Sequence, residues 1–375
     1  MKEKKKIFVI NNGSTSTKVA LFENEEALIK RELSLDTSAL NKFKTAMDQL
    51  EMRSSIVRDF LEEHGTNPEE FDIIVARGGA LPPISGGAYR VNDLMIDVLK
   101  FAPMAQHASN LSCIIGAELG KPHDVPVIIY DAPGADEFDE AAKITGLPEV
   151  RIAPVSHVLN TRKVARETAD AIGKSYEECR FIVAHLGGGI SINVHREGRI
   201  VDSVYDDMGP MSPQRAGRIP TRFMVSLCYS GKYTKEEMKR RLTNEGGVRA
   251  YFGTQDLRKI EEMIENGNKE ARTIYHAMAY QIAKGIGELS TVLCGEVDRI
   301  ILTGGGSRGK MLTDWIRERV EFIAPVEIIP GEKEMEALAL GGLRVLEGLE
   351  PAKEYDVLPP GYENREAFYR DFGLY

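Results

Sequence analysis

The sequence predicts an α/β protein built from two related domains, and three observations carry that prediction. Short apolar runs alternate with amphipathic stretches along the whole chain, the pattern of strands exchanged with helices. A chain of 375 residues is too long for one comfortable core and is expected to divide. A plan of strand, glycine turn, strand, polar turn and strand also occurs twice, as IFVINNGSTSTKVALFENEEALIKR at 7–31 and FIVAHLGGGISINVHREGRIVDS at 181–203, with Gly187 where Gly13 falls. The domains are placed at 1–150 and 151–357, with a C-terminal helix at 358–375 as a candidate addition to the first.

The strands are read in order as IFVI (7–10), KVALF (18–22), DIIVA (72–76), VPVIIYD (125–131), FIVAH (181–185), ISINVH (190–195), RIILT (299–303) and VEIIP (326–330). In the sixth, Ile190, Ile192 and Val194 alternate with Ser191, Asn193 and His195, the period of a half-buried strand. The longest helix is expected over 269–293, where Ile274, Met278, Ile282, Ile286, Leu289 and Leu293 recur at gaps of three or four and Gly295 is placed to end it.

With 48 Lys and Arg against 57 Asp and Glu, the net charge of −9 argues against nucleic acid or an anionic membrane as partner. No apolar run approaches a membrane span, and the four-residue run in MKEKKKIFVINN is short of the roughly seven a secretory signal needs. Cys113, Cys179, Cys228 and Cys294 stand far apart without metal-ligand spacing and read as small buried residues of a reducing, cytoplasmic protein.

The turn INNGSTSTK (10–18) admits two readings. Asn, Gly and Ser are ordinary hairpin formers, but their hydroxyls and backbone N–H groups can also converge on a phosphate. GGGSRGKM (304–311) matches both GxGxxG and GxxxxGK. The P-loop reading fails at Met311, where a hydroxyl for Mg²⁺ is required, and the dinucleotide reading finds its acidic residue, Glu332, a few positions late. What remains is a strand running into glycines and then a helix, which lets a nucleotide approach the backbone.

Three such loops are the arrangement of the actin-like ATPase and sugar kinase superfamily, a duplicated RNase H-like fold with two domains around a nucleotide cleft, and this chain resembles it. The segments INNGSTSTK, PMAQHASNL, VIIYDAPGADEF, PVSHVLNTR, AHLGGGISI, MGPMSPQRAGR and LTGGGSRG are similar, in order, to the acetate and butyrate kinase family. ARGGALPPISGGAYRVN and QHASNLSCIIGAELG resemble its butyrate kinase branch more closely.

The resemblance implies ATP-dependent phosphorylation of a short-chain carboxylate to an acyl phosphate, and the reverse, with ATP/ADP and Mg²⁺ as cofactors and a homodimer or larger homo-oligomer as the assembly. It implies phosphate contacts from Asn11, Gly13, Ser14, Ser16 and Lys18, a second phosphate turn at Gly187, Gly188 and Gly189, and adenosine against Gly304, Gly305 and Gly306. Arg77, Asp131, Arg215, His185 and His157 are the implied catalytic groups. Asp131, Glu334 and Asn11 are the implied metal neighbours, with Glu336 as the alternative register of the glutamate and His107 as a further family-like histidine. Without the resemblance, Asp131 has the alternative reading of an N-cap for a helix after Pro133, and Lys18 that of a strand residue pointing away. The competing functions are an actin-like nucleotide switch or filament protein, and a sugar kinase using Asp131 as base. Small residues in 78–87 and 102–109 are expected to leave room for an acid longer than acetate.

Overall fold

The computed structural model describes residues 3–36, 40 and 42–374, which form two compact units, one drawn from 1–136 and 333–375 and the other 137–332. The sequence reading divided the chain at 150/151 and 357/358. The chain returns to the first unit at Lys333, before the helix that carries Glu334. Residue 375 of the expected terminal helix lies outside the described residues, and the observed helix there is Arg365–Phe372.

The strands are β1 (Lys6–Asn12), β2 (Ser16–Glu23), β3 (Glu26–Ser34), β4 (Ile73–Arg77), β5 (Ala88–Arg90), β6 (Val127–Tyr130), β7 (Arg180–Leu186), β8 (Ile190–Arg196), β9 (Arg199–Tyr205), β10 (Arg299–Gly304) and β11 (Val326–Pro330). The first unit's sheet runs β3-β2-β1-β4-β6-β5 and the second's runs β11-β10-β7-β8-β9. Read from their third strands, β3-β2-β1-β4-β6 and β9-β8-β7-β10-β11 have the same order. In each, an antiparallel three-strand meander continues into parallel strands. The sequence repeat is thus a repeat of topology. All eight expected strands form. Besides β3 and β9, the third strands of the repeated plan, the additional β5 is three residues long, pairs with β6 and is bridged through Tyr89 to Lys353.

Alternation along the strands sends side chains into two helical layers in each unit. Phe8, Ile10, Val19 and Leu21 pack with Val57 and Phe60 of the helix Leu50–Glu63 and with Leu111 and Ile114 of the helix Asn110–Gly120. The opposite face carries the helix Glu334–Leu346, where a Cβ on Gly342 would lie 2.5 Å from Val75. In the second unit Ile182, Ala184, Ile192 and Val194 meet Ile282 and Ile286 of the long helix Lys269–Ser290, which ends in a 3-10 turn at Thr291–Leu293. Phe181 and Val183 instead meet Val164 and Ala165 of the helix Val158–Ala171.

One composition reading is corrected: Cys113 and Cys179 are buried, but Cys228 and Cys294 are exposed. Cys228 lies on the helix Thr221–Cys228, which buries none of its residues, and Cys294 occupies the left-handed turn that ends the long helix. No helix among the described residues is long and apolar enough to cross a membrane.

Candidate active site

In the first unit the Gly13 turn joins β1 to β2 and is closed by the Gly13 N–H donating to Ser16 O at 2.8 Å. Asn11, 2% exposed, precedes it. Its Nδ2 donates to Glu334 Oε2 at 2.9 Å, and its Oδ1 accepts from Arg77 Nη1 at 3.2 Å. Arg77 also reaches Glu334 Oε2 at 3.3 Å. The three side chains come from β1, the end of β4 and the first turn of the helix Glu334–Leu346, and form one cluster. Glu336, the alternative, instead pairs with Lys30.

Lys18 is the direct antiparallel partner of Asn11, so it shares Asn11's face of the sheet rather than pointing away. Ser16 lies on the same face and donates to Glu32 Oε1 at 3.0 Å. Ser14, exposed on the turn, lies 3.4 Å from His107 Nε2. His107 Nδ1 accepts the Ser109 N–H at 3.1 Å, which leaves the ring proton on Nε2, facing the Ser14 hydroxyl. Desolvation of the ring and the neighbouring Arg77 and Arg53 guanidinium groups hold His107 below the usual histidine range.

Asp131 follows β6 in a left-handed conformation, φ 45°, which costs a non-glycine residue about 1–3 kcal/mol and concentrates at functional sites. Its Oδ1 accepts from the Gly87 N–H at 2.9 Å, and its own N–H donates to Gly87 O at 3.1 Å. Among the described residues the next helical turn after Pro133 begins only at Glu140, so the N-cap reading of Asp131 falls.

In the second unit His185, 2% exposed, ends β7. Asn160 Nδ2 donates to His185 Nδ1 at 3.0 Å and to Thr303 Oγ1 at 3.2 Å, so the neutral ring carries its proton on Nε2. His157 stacks on His185 with ring centroids 3.9 Å apart and planes 8° from parallel, and its Nδ1 lies 2.9 Å from Ser191 Oγ. A Cβ on Gly187 would meet His185 Nε2 at 2.9 Å, and one on Gly189 would meet Arg215 Nε at 2.9 Å. Glycine at these positions therefore admits a histidine and an arginine against the turn's backbone. Ser212 ties the arginine loop down by donating to Gly188 O at 2.6 Å and accepting the Arg215 N–H at 3.0 Å. Arg215 pairs with Asp206, whose carboxyl is held above the usual range by burial even though Arg215 opposes the shift.

Gly304, at φ +86°, turns β10 into a short 3-10 turn, Gly305–Arg308. A Cβ there would fall 2.6 Å from Leu186 O. The turn borders a cavity of 560 Å³ within this unit, lined also by Gly187, Gly188, Leu257 and Arg258. Among the described residues, Nε of Arg77 and of Arg215 is buried without a hydrogen-bond partner. Both arginines stand beside a glycine turn or its flanking strand.

The oxygen donors Asn11 Oδ1, Glu334 and Asp131 are of the hard type Mg²⁺ takes. Among the described residues no three His, Cys, Asp or Glu side chains group as a metal cage. Mg²⁺ characteristically takes only one or two carboxylates and completes its shell with water and substrate phosphate, so these residues fit it.

Sequence reading missed Asn160, Asp206, Ser212 and Arg53. Asn160 stands three positions after His157 on one helix, a spacing that could have drawn attention to it. Ser212 lies within the segment MGPMSPQRAGR, three positions before Arg215, whereas Asp206 and Arg53 carry no local signal.

Two glycine turns stand on repeated sheets, each flanked by a buried polar or cationic cluster, and the paired sheets are those of the duplicated actin-like fold. Three solved structures share that fold: acetate kinase from Porphyromonas gingivalis (20% identity, TM-score 0.75, covering 91% of this chain and 100% of that one), a propionate kinase from Francisella tularensis subsp. tularensis SCHU S4 (17%, 0.71, 90% and 98%), and acetate kinase from Entamoeba histolytica (16%, 0.70, 90% and 98%). The sequence model of the Acetokinase family matches residues 91–324, more than half of the chain, and the chain belongs to that family. Family membership carries ATP-dependent phosphorylation of a carboxylate, with ATP/ADP and Mg²⁺, and sets aside the sugar kinase and nucleotide-switch readings.

Proposed function

We propose that the chain phosphorylates a four-carbon acid, butyrate or isobutyrate, with ATP to give the acyl phosphate and ADP, and catalyses the reverse. The observation that carries this reading is the Asn11–Arg77–Glu334 cluster beside the Gly13 turn. It fixes a cation next to a turn of phosphate-binding composition and leaves that cation's Nε for an anion.

In this reading Gly13, Asn11, Ser14, Ser16 and Lys18 receive the γ-phosphate, Gly187 to Gly189 the phosphate chain, and Gly304 to Gly306 the adenosine. The acid is ionised at pH 7 and needs no general base. One of its oxygens bonds to the γ-phosphorus as the bond from that phosphorus to the β–γ bridging oxygen breaks, and ADP leaves with the electron pair. Arg77, Arg215 and the His185 Nε2–H offset charge on the equatorial oxygens. His157 holds the His185 ring by stacking. A bound Mg²⁺ would neutralise phosphate charge, and Asn11, Asp131 and Glu334 are the residues that would hold it.

The four-carbon preference rests on the butyrate-branch segments. Met104 N–H donates to Ala80 O and Ala80 N–H to Asn110 Oδ1, which joins the 78–87 and 102–109 segments into one small-residue wall close in sequence to Arg77 and His107. Room does not come from Gly78 and Gly79, where a Cβ would lie 2.8 Å from Ala132 and 2.7 Å from Asn110 and Leu99; these glycines are packed. Ala105 and Met104, both exposed, supply the open part of the wall. Each methylene in an apolar pocket is worth about 1–3 kcal/mol, so kcat/KM for butyrate should exceed that for acetate by about tenfold or more. A homodimer or larger homo-oligomer in the cytoplasm completes the proposal. Ranking C2 to C6 acids by kcat/KM tests the chain-length claim, and acetate ahead of butyrate would overturn it.

A further inference from the structure

Arg53 lies on the helix Leu50–Glu63 and is fully buried. Burial pushes its pKa down to about 10, and among the described residues its guanidinium contacts no carboxylate, so at neutral pH it is a buried cation without a paired counter-charge. Every bond it makes is to a neutral oxygen, and four of its five acceptors belong to the Gly13 turn and its flanks. Nη1 donates to Ser16 O at 3.1 Å, Thr17 Oγ1 at 3.1 Å and Asn12 Oδ1 at 3.4 Å, and Nη2 to Ser14 O at 3.3 Å. Nε donates to Gln49 Oε1 at 3.0 Å.

The two-pronged guanidinium spans the turn from below. In a planar trans peptide the carbonyl and the following N–H point in opposite directions. Drawing Ser14 O down onto Arg53 therefore turns the Thr15 N–H to the other side of the loop. The Ser14 and Thr15 N–H groups bond to no group among the described residues. Successive N–H groups turned the same way make an anion receptor, and a desolvated cation beneath them adds an attraction that water does not screen. A buried charge is expensive unless paired, and here the partner that would offset it is an anion seated on the turn.

We propose that Arg53 is a positioning residue that presets the Gly13 turn, by backbone geometry and by charge, to receive the terminal phosphates of ATP. The inference rests on the reading that those phosphates bind this turn. Calorimetric titration of wild type and R53K with ATP, and separately with adenosine, tests it. Lysine keeps the charge but cannot reach Ser14 O and Ser16 O together. R53K should bind ATP at least tenfold more weakly with adenosine affinity unchanged, and R53Q, lacking the charge as well, should lose more. R53K binding ATP as tightly as wild type, or losing ATP and adenosine affinity equally, would overturn the inference. Should R53K not accumulate folded, Gln49→Ala, which releases the Arg53 Nε without touching the turn, is titrated in the same way. A loss for ATP alone supports the inference, and equal affinities overturn it. Failure of wild type to bind ATP would instead bring down the underlying reading.

Discussion

At the scale of single residues, the proposed chemistry depends on guanidinium groups held against backbone that carries no side chain. Arg215 sits over Gly189 with Asp206 as its partner. Removing it should cost the transfer step about 2.7–4 kcal/mol, or 10²- to 10³-fold in kcat, the usual loss for one charge-stabilising donor. R215A is expected to show this fall in acyl phosphate formation while its ADP affinity, measured by calorimetry, stays within a few-fold of wild type. Near-normal turnover would remove Arg215 from the site. Residue types legible in the sequence were those whose neighbours form a motif: Asn11 and Ser14 in INNGSTSTK, Arg215 in SPQRAGR, His185 before its glycines. Arg53 was not legible, because one arginine on an amphipathic helix looks the same whether it faces water or, as here, the underside of a turn.

At the scale of elements, the late glycine turn works by geometry. Gly304 takes φ +86° and lets β10 pass within contact of Leu186 O. G304A should therefore lose about 1–3 kcal/mol from backbone strain alone, with more from the 2.6 Å approach. Chemical denaturation of G304A should show a lower midpoint at unchanged m-value, and an unshifted midpoint would mean that the turn relaxes without cost. The eight strands with continuous or alternating apolar residues were readable directly, and β3 and β9 only as the third strands of the repeated plan. β5 was not, since three residues give no period, and it forms because β6 offers it a free edge. The glutamate register was not legible either: it is the return of the chain that brings the first turn of the helix Glu334–Leu346, and Glu334 rather than Glu336, against Asn11 of β1.

For the molecule as a whole, the duplication was legible because it repeats a local pattern, whereas the passage of 333–357 to the first unit depends on long-range packing that no local pattern encodes. Global stability also carries a pH signature. His195 is fully buried on β8, beside Tyr176 Oη at 2.7 Å and with Nε2 unpartnered, and burial, followed by the Arg162 charge, pushes its pKa to about 3. With about 6.5 in the unfolded chain, the unfolded state takes the proton first as pH falls. The stability contribution is whole above about pH 6.5 and diminishes below it, by about 2.7 kcal/mol at pH 4.5. Asp202 and Asp206, raised by burial, act with the opposite sign, favouring the fold at low pH and losing that contribution as pH rises through their folded values. The difference between wild type and His195→Phe isolates the histidine: denaturation between pH 6.5 and 4.5 should show a shallower loss in the variant, and parallel curves would contradict the assignment.

The central claim is that phosphate passes from ATP directly to a carboxylate oxygen. Incubating the protein with ATP, Mg²⁺, butyrate and hydroxylamine, and measuring butyryl hydroxamate against ADP, tests it most directly. The account predicts hydroxamate and ADP in equal amounts, both dependent on the acid. ADP released without hydroxamate from any C2 to C6 acid would contradict it.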